Sequence, residues 1–236
     1  MDFLELTLPG PAENLALDEA LLLQAESGEA GEILRIWELP QLAVVLGAGG
    51  KLKEDVHEEA CLLDGVPILR RASGGGTVLL GPGSLCYSLV LAQDSHPALQ
   101  DILPSYEHIL SRVAEAVGVP GLTMAGTSDL TLELVKCSGN AQQRKRRYLL
   151  HHGTLLHGMD LDRVGRYLRM PVRQPDYRAG RDHASFVRNL EVRRDKLIAG
   201  LRESWGARTL RQAWPQEQVQ SLVAEKYELT SWINRR

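Results

Sequence analysis

The residues that could do chemistry fall into three clusters, each containing glycine. The first is Arg70-Arg71-Ala72-Ser73-Gly74-Gly75-Gly76-Thr77-Val78, which separates two apolar, strand-like stretches at 66–69 and 84–92. Glycine tolerates positive φ and close backbone approach, so such a loop can turn several N–H groups toward an anion or a carboxylate. Two arginines stand at its entrance. The second cluster, Lys136-Cys137-Ser138-Gly139-Asn140-Ala141-Gln142, sets a lysine at a strand end just before another glycine. The third is His151-His152-Gly153-Thr154-Leu155-Leu156, on an adjacent strand, where the two histidines must point to opposite faces.

Several chemistries are excluded by pattern. The glycine loop lacks GxSxG, so nothing reads as a nucleophile elbow, and no GxxxxGK[ST] spacing makes a P-loop. Cys61, Cys86 and Cys137 lie far apart without CxxC, and no histidine falls at zinc-ligand spacing with them. Hydrophobic residues are 44% and charged residues 24% of 236, ordinary for a globular enzyme or binding protein. A net charge of -3 gives no reason to expect nucleic-acid affinity. With no signal peptide and no apolar run long enough to span a bilayer, the expectation is a cytoplasmic protein without a membrane partner.

The elements that must position these clusters follow from periodicity. A strand over 2–8 ends at Pro9-Gly10-Pro11, and Asn14 stands as the cap of a helix to about Ala25. Its apolar face is Leu15, Leu17, Leu21 and Leu22; by spacing, Asp18 and Glu19 read as solvated charges. Segments 33–38 and 42–46 look like strands of one hairpin through Leu39-Pro40-Gln41. Gly47-Ala48-Gly49-Gly50 then suits a second ligand-facing loop and a plain turn equally. A helix over 53–64, with Cys61 inside it, stops at Gly65. After Gly81-Pro82-Gly83, strand 84–91 places Leu85, Tyr87, Leu89 and Leu91 on one face and Cys86, Ser88 and Val90 on the other. Helix 104–117 closes at Gly118. Strands 130–136 and 148–151 then pair around a loop that holds Ser138-Gly139-Asn140 and the basic run Arg144-Lys145-Arg146-Arg147, a solvated tip by composition. Strand continues over 153–159, Asp162 caps a helix to about Arg169, and helices cover 192–205 and 215–227. Residues 171–183 have no periodicity, which suggests a functional loop or lid. No repeat or linker marks an interior boundary, so a single domain over 1–236 is expected.

With these motifs in order, the chain resembles the lipoate-protein ligase and octanoyltransferase superfamily. The resemblance rests on Asn14-Leu15-Ala16-Leu17-Asp18-Glu19, RRASGGGTV at 70–78, Gly126-Thr127-Ser128-Asp129-Leu130, KCSGNAQ at 136–142 and HHGTLL at 151–156. It extends weakly to Lys226-Tyr227 and Trp232. The fold it implies is α+β, a mixed β-sheet with flanking helices like the catalytic domain of class II aminoacyl-tRNA synthetases and biotin ligases. The extra C-terminal domain of many ligases is missing from the sequence, which leaves room for a separate accessory subunit.

The chemistry the resemblance implies has two branches. In the ligase branch, lipoate and MgATP form lipoyl adenylate, and a lysine of a lipoyl carrier domain, in a 2-oxoacid dehydrogenase or the glycine cleavage H protein, takes the lipoyl group. In the transferase branch, octanoate passes from acyl carrier protein through a cysteine thioester. By motif, the resemblance gives Arg71, Gly76, Thr77, Val78, Leu79 and Lys136 to the nucleotide. It gives Arg70, Ser73, Gly74, Gly75, Lys136, Gly139, His152, Gly153 and Thr154 to the acyl substrate, His152 also reading as a packed core residue. Lys136 would be the catalytic group, binding the oxygens on which charge develops. Magnesium would arrive with ATP, with Asp129 a candidate ligand. Transferases carry their cysteine where this chain has Thr127-Ser128, or where it has Pro171-Val172. Cys137 follows Lys136 directly and should face away from it as a buried thiol. ATP-dependent ligation is therefore the expected activity. Octanoyl transfer and a non-catalytic acyl-binding paralogue are the alternatives. Two departures touch the nucleotide end: Leu79-Leu80-Gly81-Pro82-Gly83 replaces the ligases' aromatic and His-Asp pair, and Thr127-Ser128 replaces Arg-Asn.

Overall fold

The computed structural model describes residues 1–235. In chain order the elements are β1 (Asp2–Glu5), α1 (Pro11–Ser27), β2 (Ile33–Trp37), β3 (Ala43–Leu46), α2 (Leu52–Asp55), α3 (Glu58–Asp64), β4 (Ile68–Arg70), β5 (Val78–Leu80) and β6 (Ser84–Ala92). Next come α4 (Ile102–Val117), β7 (Leu122–Ala125), β8 (Asp129–Leu132), β9 (Val135–Arg144), β10 (Tyr148–Leu156) and α5 (Asp162–Tyr167). The last are α6 (His183–Phe186), α7 (Arg194–Ser204), β11 (Thr209–Leu210), α8 (Gln216–Leu222), a π turn Val223–Tyr227 and α9 (Thr230–Ile233). Among the described residues these make an eight-stranded mixed sheet, β11-β1-β2-β6-β10-β9-β8-β7, and a three-stranded sheet, β4-β3-β5. No helix among them is long and apolar enough to cross a membrane.

Strand β6 explains the layering. Its alternation sends Leu85, Tyr87, Leu89 and Leu91 into one core with Ile109 and Val113 of α4 and Leu197 and Leu201 of α7. Cys86 and Val90 join the opposite core, with Leu17, Leu21 and Leu22 of α1. The amphipathic helix and strand expected there are both present, and the architecture is α+β, a mixed sheet with flanking helices.

Helix α1 differs from expectation. It starts at Pro11 after an N-cap at Gly10, whose N–H is held by Glu13 Oε2 at 2.6 Å. Asn14 is inside the helix and fully buried, its amide donating to the carbonyls of Leu8 and Gly10. Asp18 and Glu19 are buried as well. Alanines 16 and 20 complete an apolar surface all round the helix, and a helix with no polar face must bury whatever charges it carries. Arg35 of β2 is their answer at position 18. Its Nη1 lies 2.6 Å from Asp18 Oδ1, while Asn14 Oδ1 and the carbonyls of Asn14 and Leu6 accept its other protons. Ser88 Oγ donates to Asp18 Oδ2 at 2.7 Å. Glu19 accepts from Lys226 Nζ and Tyr227 Oη at the other end of the chain.

Other boundaries move for packing reasons. The expected 33–46 hairpin does not form: β2 pairs with β1 and β6, while β3 enters the second sheet between β4 and β5. All four residues of β3 are buried, and a strand covered on both faces needs its own layer more than a sequential neighbour. The 53–64 helix breaks into α2 and α3 because Val56 bridges Leu168 and His57 N–H bonds the Tyr167 carbonyl. The same bridge ends α5 before Arg169, and Asp162 lies within its first turn, not at the cap. Ser138-Gly139-Asn140 is strand, not loop. The turn before β9 instead uses Glu133 and Leu134 at φ of 53° and 60°, without glycine to signal it. At the β9–β10 tip, Lys145 and Arg146 are exposed, but Arg144 binds Gln93 and Arg147 binds Glu26.

Burial opposes the charge on Asp18, yet Arg35, His152 and Ser88 hold its carboxyl below its ordinary value of 3.8. A carboxyl depressed on folding stabilises the protein above its unfolded pKa and loses that contribution as pH falls through the folded one. The Arg35 pairing therefore supports the fold at neutral pH and is lost on acidification from about 3.8 downward. Asp18→Ala, which leaves Arg35 buried without its counter-charge, should cost about 3–5 kcal/mol in urea denaturation at neutral pH.

Candidate functional site

The glycine loop is shaped by the arginine at its entrance. Arg71 turns back under the loop, its Nη2 donating to the carbonyls of Gly74 (2.6 Å) and Gly76 (2.8 Å) and its Nε to Ser73 Oγ (3.0 Å). Occupying these carbonyls from below commits the loop's curvature, and Gly75 supplies the positive φ of 85° that the bend requires. Burial pulls the Arg71 guanidinium down to about 10, so it stays charged at neutral pH.

Arg70 does something else. It is fully buried, and its guanidinium binds the carbonyls of Gly47 and Gly50 on one side and of Trp232 and Ile233 on the other. Trp232 Nε1 returns a bond to the Arg70 carbonyl at 2.8 Å. Arg70 thus staples the 47–50 loop and the 232–233 tail to the strand that launches the glycine loop, and it does not line the cavity described next. The 47–50 loop fits directly against the glycine loop: a Cβ at Gly47 would stand 2.0 Å from the Gly75 carbonyl oxygen.

These loops form one wall of a cavity of about 1070 Å³. Its apolar interior includes Leu15, Trp37, Val45, Leu80 and Cys86, all buried. Charged groups contribute elsewhere to its lining, among them Lys51, Glu54, Asp55, Arg169 and Arg173. Arg71, Gly74, Gly75, Gly76, Thr77, Val78, Leu79, Asp129, Lys136, Gly139, His152, Gly153 and Thr154 line it, so the three sequence clusters do converge. Ser73 and Arg70 lie behind the wall. Thr77 Oγ1 donates to Asp55 Oδ2 at 2.8 Å, which ties the loop's far end to α2.

Strand alternation sorts the chemistry. Lys136 faces the cavity, its Nζ 2.7 Å from Asp129 Oδ1, while Cys137 is fully buried in the α4 and α7 core. Burial pushes the Cys137 thiol up. His151 is buried between Tyr87 and Tyr106 and pushed down to about 3 by desolvation, whereas His152 reaches the cavity. His152 Nε2 lies 2.6 Å from Ser73 Oγ and its Nδ1 3.4 Å from Asp18 Oδ2, a serine–histidine–aspartate line that no sequence motif announces. It does not make a nucleophile. Ser73 is buried, its oxygen already accepts from Arg71, and Asp18 is committed to Arg35 and Ser88. The line acts as a brace from α1 through β10 to the glycine loop.

Of the three cysteines only Cys86 lines the cavity, a residue the sequence left as an ordinary strand position. Burial, reinforced by the nearby Asp18 charge, raises its thiol well above the ordinary range, so it remains protonated and a poor nucleophile. Thr127, Ser128, Pro171 and Val172 all line the cavity. Residues 171–183, irregular in sequence, border it through 171–175, Arg178 and His183. Asp129 spends Oδ1 on Lys136 and Oδ2 on the Tyr177 hydroxyl, and no group of three metal-binding side chains exists among the described residues. Sequence reasoning missed Asp55, Tyr177, Arg169 and Arg173. The basic residues of 169–173 were visible as charge, but not their placement beside a cavity.

Comparison with known proteins gives the family and the fold. A family model, the lipoyl protein ligase A/B catalytic domain, fits residues 10–198. The octanoyltransferase LipM of Carboxydothermus hydrogenoformans is 30% identical over 95% of this chain and 94% of its own length. The probable lipoate-protein ligase A of Mycoplasma pneumoniae is 31% identical over 68% of this chain, a match that spans only 46% of that protein. Among solved structures, the bipartite lipoate protein ligase of Thermoplasma acidophilum superposes with a TM-score of 0.81 at 23% identity, covering 99% of this chain and 96% of that one. A lipoate-protein ligase A bound with ATP gives a TM-score of 0.80 at 23% identity, covering 99% of each chain. At these identities the structural likeness is one of fold.

The contact between the two glycine-rich loops generates a paired prediction. Gly47→Ala forces a methyl against a backbone oxygen and should destabilise the protein by about 1–3 kcal/mol. At Gly74 an added Cβ meets nothing within 4 Å, and Gly74→Ala should stay within about 0.5 kcal/mol in the same denaturant titration.

Proposed function

The chain belongs to the lipoyl protein ligase A/B catalytic-domain family, whose relatives act in lipoyl and octanoyl transfer, and from that membership we propose that it is an ATP-dependent lipoate-protein ligase. The observation that carries the reading is the placement of sulfur. Both positions at which the transferase branch carries its cysteine line the cavity here, as Thr127-Ser128 and Pro171-Val172, and neither holds a thiol. Cys137 faces the opposite core, and Cys86 is held protonated by its surroundings. A route without a thioester must activate the acyl carboxylate another way, and adenylation does so. The match to a lipoate-protein ligase A that binds ATP supports the same choice.

In this reading the acyl chain occupies the apolar interior beside Leu15, Trp37 and Val45, with its carboxylate toward the glycine loop and Lys136. A carboxylate oxygen bonds to the α-phosphorus of ATP as pyrophosphate leaves. The amine of a carrier-domain lysine then attacks the acyl carbon, AMP departs and the amine proton is lost to solvent. The Lys136 ammonium and the N–H groups of Gly74, Gly75 and Gly76 stabilise the oxygens on which charge grows in both steps. Residues 171–175 exclude water that would hydrolyse the anhydride. Magnesium is assigned to the phosphates of ATP, since Asp129 is doubly engaged. Carrier domains of 2-oxoacid dehydrogenases or the glycine cleavage H protein are the acceptors. The bipartite relative, whose structure includes an E2 lipoyl domain, supports such an acceptor and keeps a separate accessory subunit within the proposal.

A second reading, octanoyl transfer from acyl carrier protein, is favoured by the likeness to LipM over nearly the whole chain. Both are tested by incubating a carrier domain with lipoate or octanoyl-acyl carrier protein, each with and without MgATP, and weighing the intact product. Ligation predicts pyrophosphate release and ATP-dependent addition of the lipoyl mass, reduced about 10²–10³-fold by Lys136→Ala. Octanoylation without ATP, abolished by Cys137→Ala or Cys86→Ala, would establish the second reading and overturn the first.

A further inference from the structure

Tyr177 lies in the irregular stretch between α5 and α6, and no sequence motif singles it out. Its hydroxyl donates to Asp129 Oδ2 at 2.6 Å, while the other oxygen of the same carboxylate holds Lys136 Nζ at 2.7 Å. One buried carboxylate therefore joins the cavity-bordering segment to the lysine. We propose that Tyr177 is a positioning residue for Lys136: by occupying Oδ2 it leaves the lysine a single oxygen and aims its ammonium into the cavity when residues 171–183 lie over it. This rests on the role given above to Lys136.

Three observations carry it. Lys136 has little freedom of its own, because it lies across Gly139 so closely that a Cβ there would meet Nζ at 2.8 Å. Within that limited space its Nζ is paired with Asp129 Oδ1. The chain running on from this segment also grips the lysine's backbone: Arg181 Nη2 bonds the Leu134 carbonyl in the turn before β9, Val187 pairs with Lys136, and Arg188 N–H bonds the Lys136 carbonyl at 2.9 Å. Contact at both side chain and backbone joins the stretch 177–188 and the lysine into one mechanical unit. Finally, the phenol is fitted to donate and nothing else. Burial and the Asp129 charge push it well above the ordinary tyrosine range, and its ring packs against Phe186 at 5.4 Å. Without the hydroxyl, Oδ2 is free to turn toward Nζ, and an ammonium held by both oxygens is less available to the substrate.

The test uses Tyr177→Phe, which keeps the ring, with Asp129→Asn and the double variant, in single-turnover acyl transfer to a carrier domain with whichever donor the wild type accepts. Tyr177→Phe should lower the rate about tenfold while the KM for the acyl donor changes by less than about twofold, the signature of an interaction that matters in the transition state. In the Asp129→Asn background it should add nothing, because the path runs through that carboxylate. A rate within about twofold of wild type, or an equal loss in both backgrounds, overturns the proposal. Amide hydrogen exchange supplies a readout independent of turnover: Tyr177→Phe should speed exchange at Lys136–Gly139 and across 171–188, and unchanged exchange likewise overturns it. Wild-type protein that transfers neither acyl group would sink the functional reading; exchange then decides whether Tyr177 still holds Lys136.

Discussion

The buried pair of Asp18 and Arg35 is the interaction on which the site depends. It lies where α1, β2, β6 and β10 meet: Asn14 and Asp18 come from the helix, Arg35 from β2, Ser88 from β6 and His152 from β10. An ion pair without solvent gains little net stability over an apolar replacement, because desolvation cancels most of the attraction. It does fix geometry, since each partner becomes costly to move once buried. Here the fixed object is His152, whose ring then braces Ser73 at the start of the glycine loop. The glycine-loop wall of the cavity is thus referenced to the centre of the main sheet.

A second constraint acts from the other side. Arg70 presents its donors to the carbonyls of the 47–50 loop and of residues 232–233, and no neutral side chain could satisfy so many acceptors at once. Lys226 and Tyr227 then bind Glu19, one residue from Asp18. The end of the described chain is thereby tied both to α1 and to the glycine-loop strand. Two adjacent arginines divide the labour: Arg71 shapes the loop from within, and Arg70 holds the structures around it.

Much of this was legible in the sequence, and the failures have a common cause. Alternation in β6, the glycine caps at Gly65 and Gly118 and the convergence of three glycine clusters are local properties, and they appear where expected. The burial of Asp18 and Glu19 depends on partners 17 and 207 residues away, and spacing on one helix carries no record of them. The hint was there in the alanines and leucines around α1, which leave no face for water. The turn at Glu133-Leu134 was hidden because residues other than glycine adopt its positive φ. Arg70 and Arg71 look equivalent as a dipeptide, yet Arg70 ends β4 against Leu46 while Arg71 follows it into the loop, and only that long-range pairing decides which enters the cavity wall.

That same alternation governs which chemistry the fold can offer. In β9 it turns Lys136 to the cavity and Cys137 to the core; in β10 it does the same for His152 and His151. A shift of one residue in register would exchange a charged lysine for a thiol and convert an electrostatic site into a nucleophilic one. The register is held by apolar burial on the far face, where Cys137, Leu149 and Leu155 pack with α4 and α7. The hydrophobic core on one side of the sheet thus sets which side chains face the cavity on the other. In the function proposed above, Lys136 with His152 as a brace lets the cavity stabilise negative oxygen, whichever acyl donor supplies it.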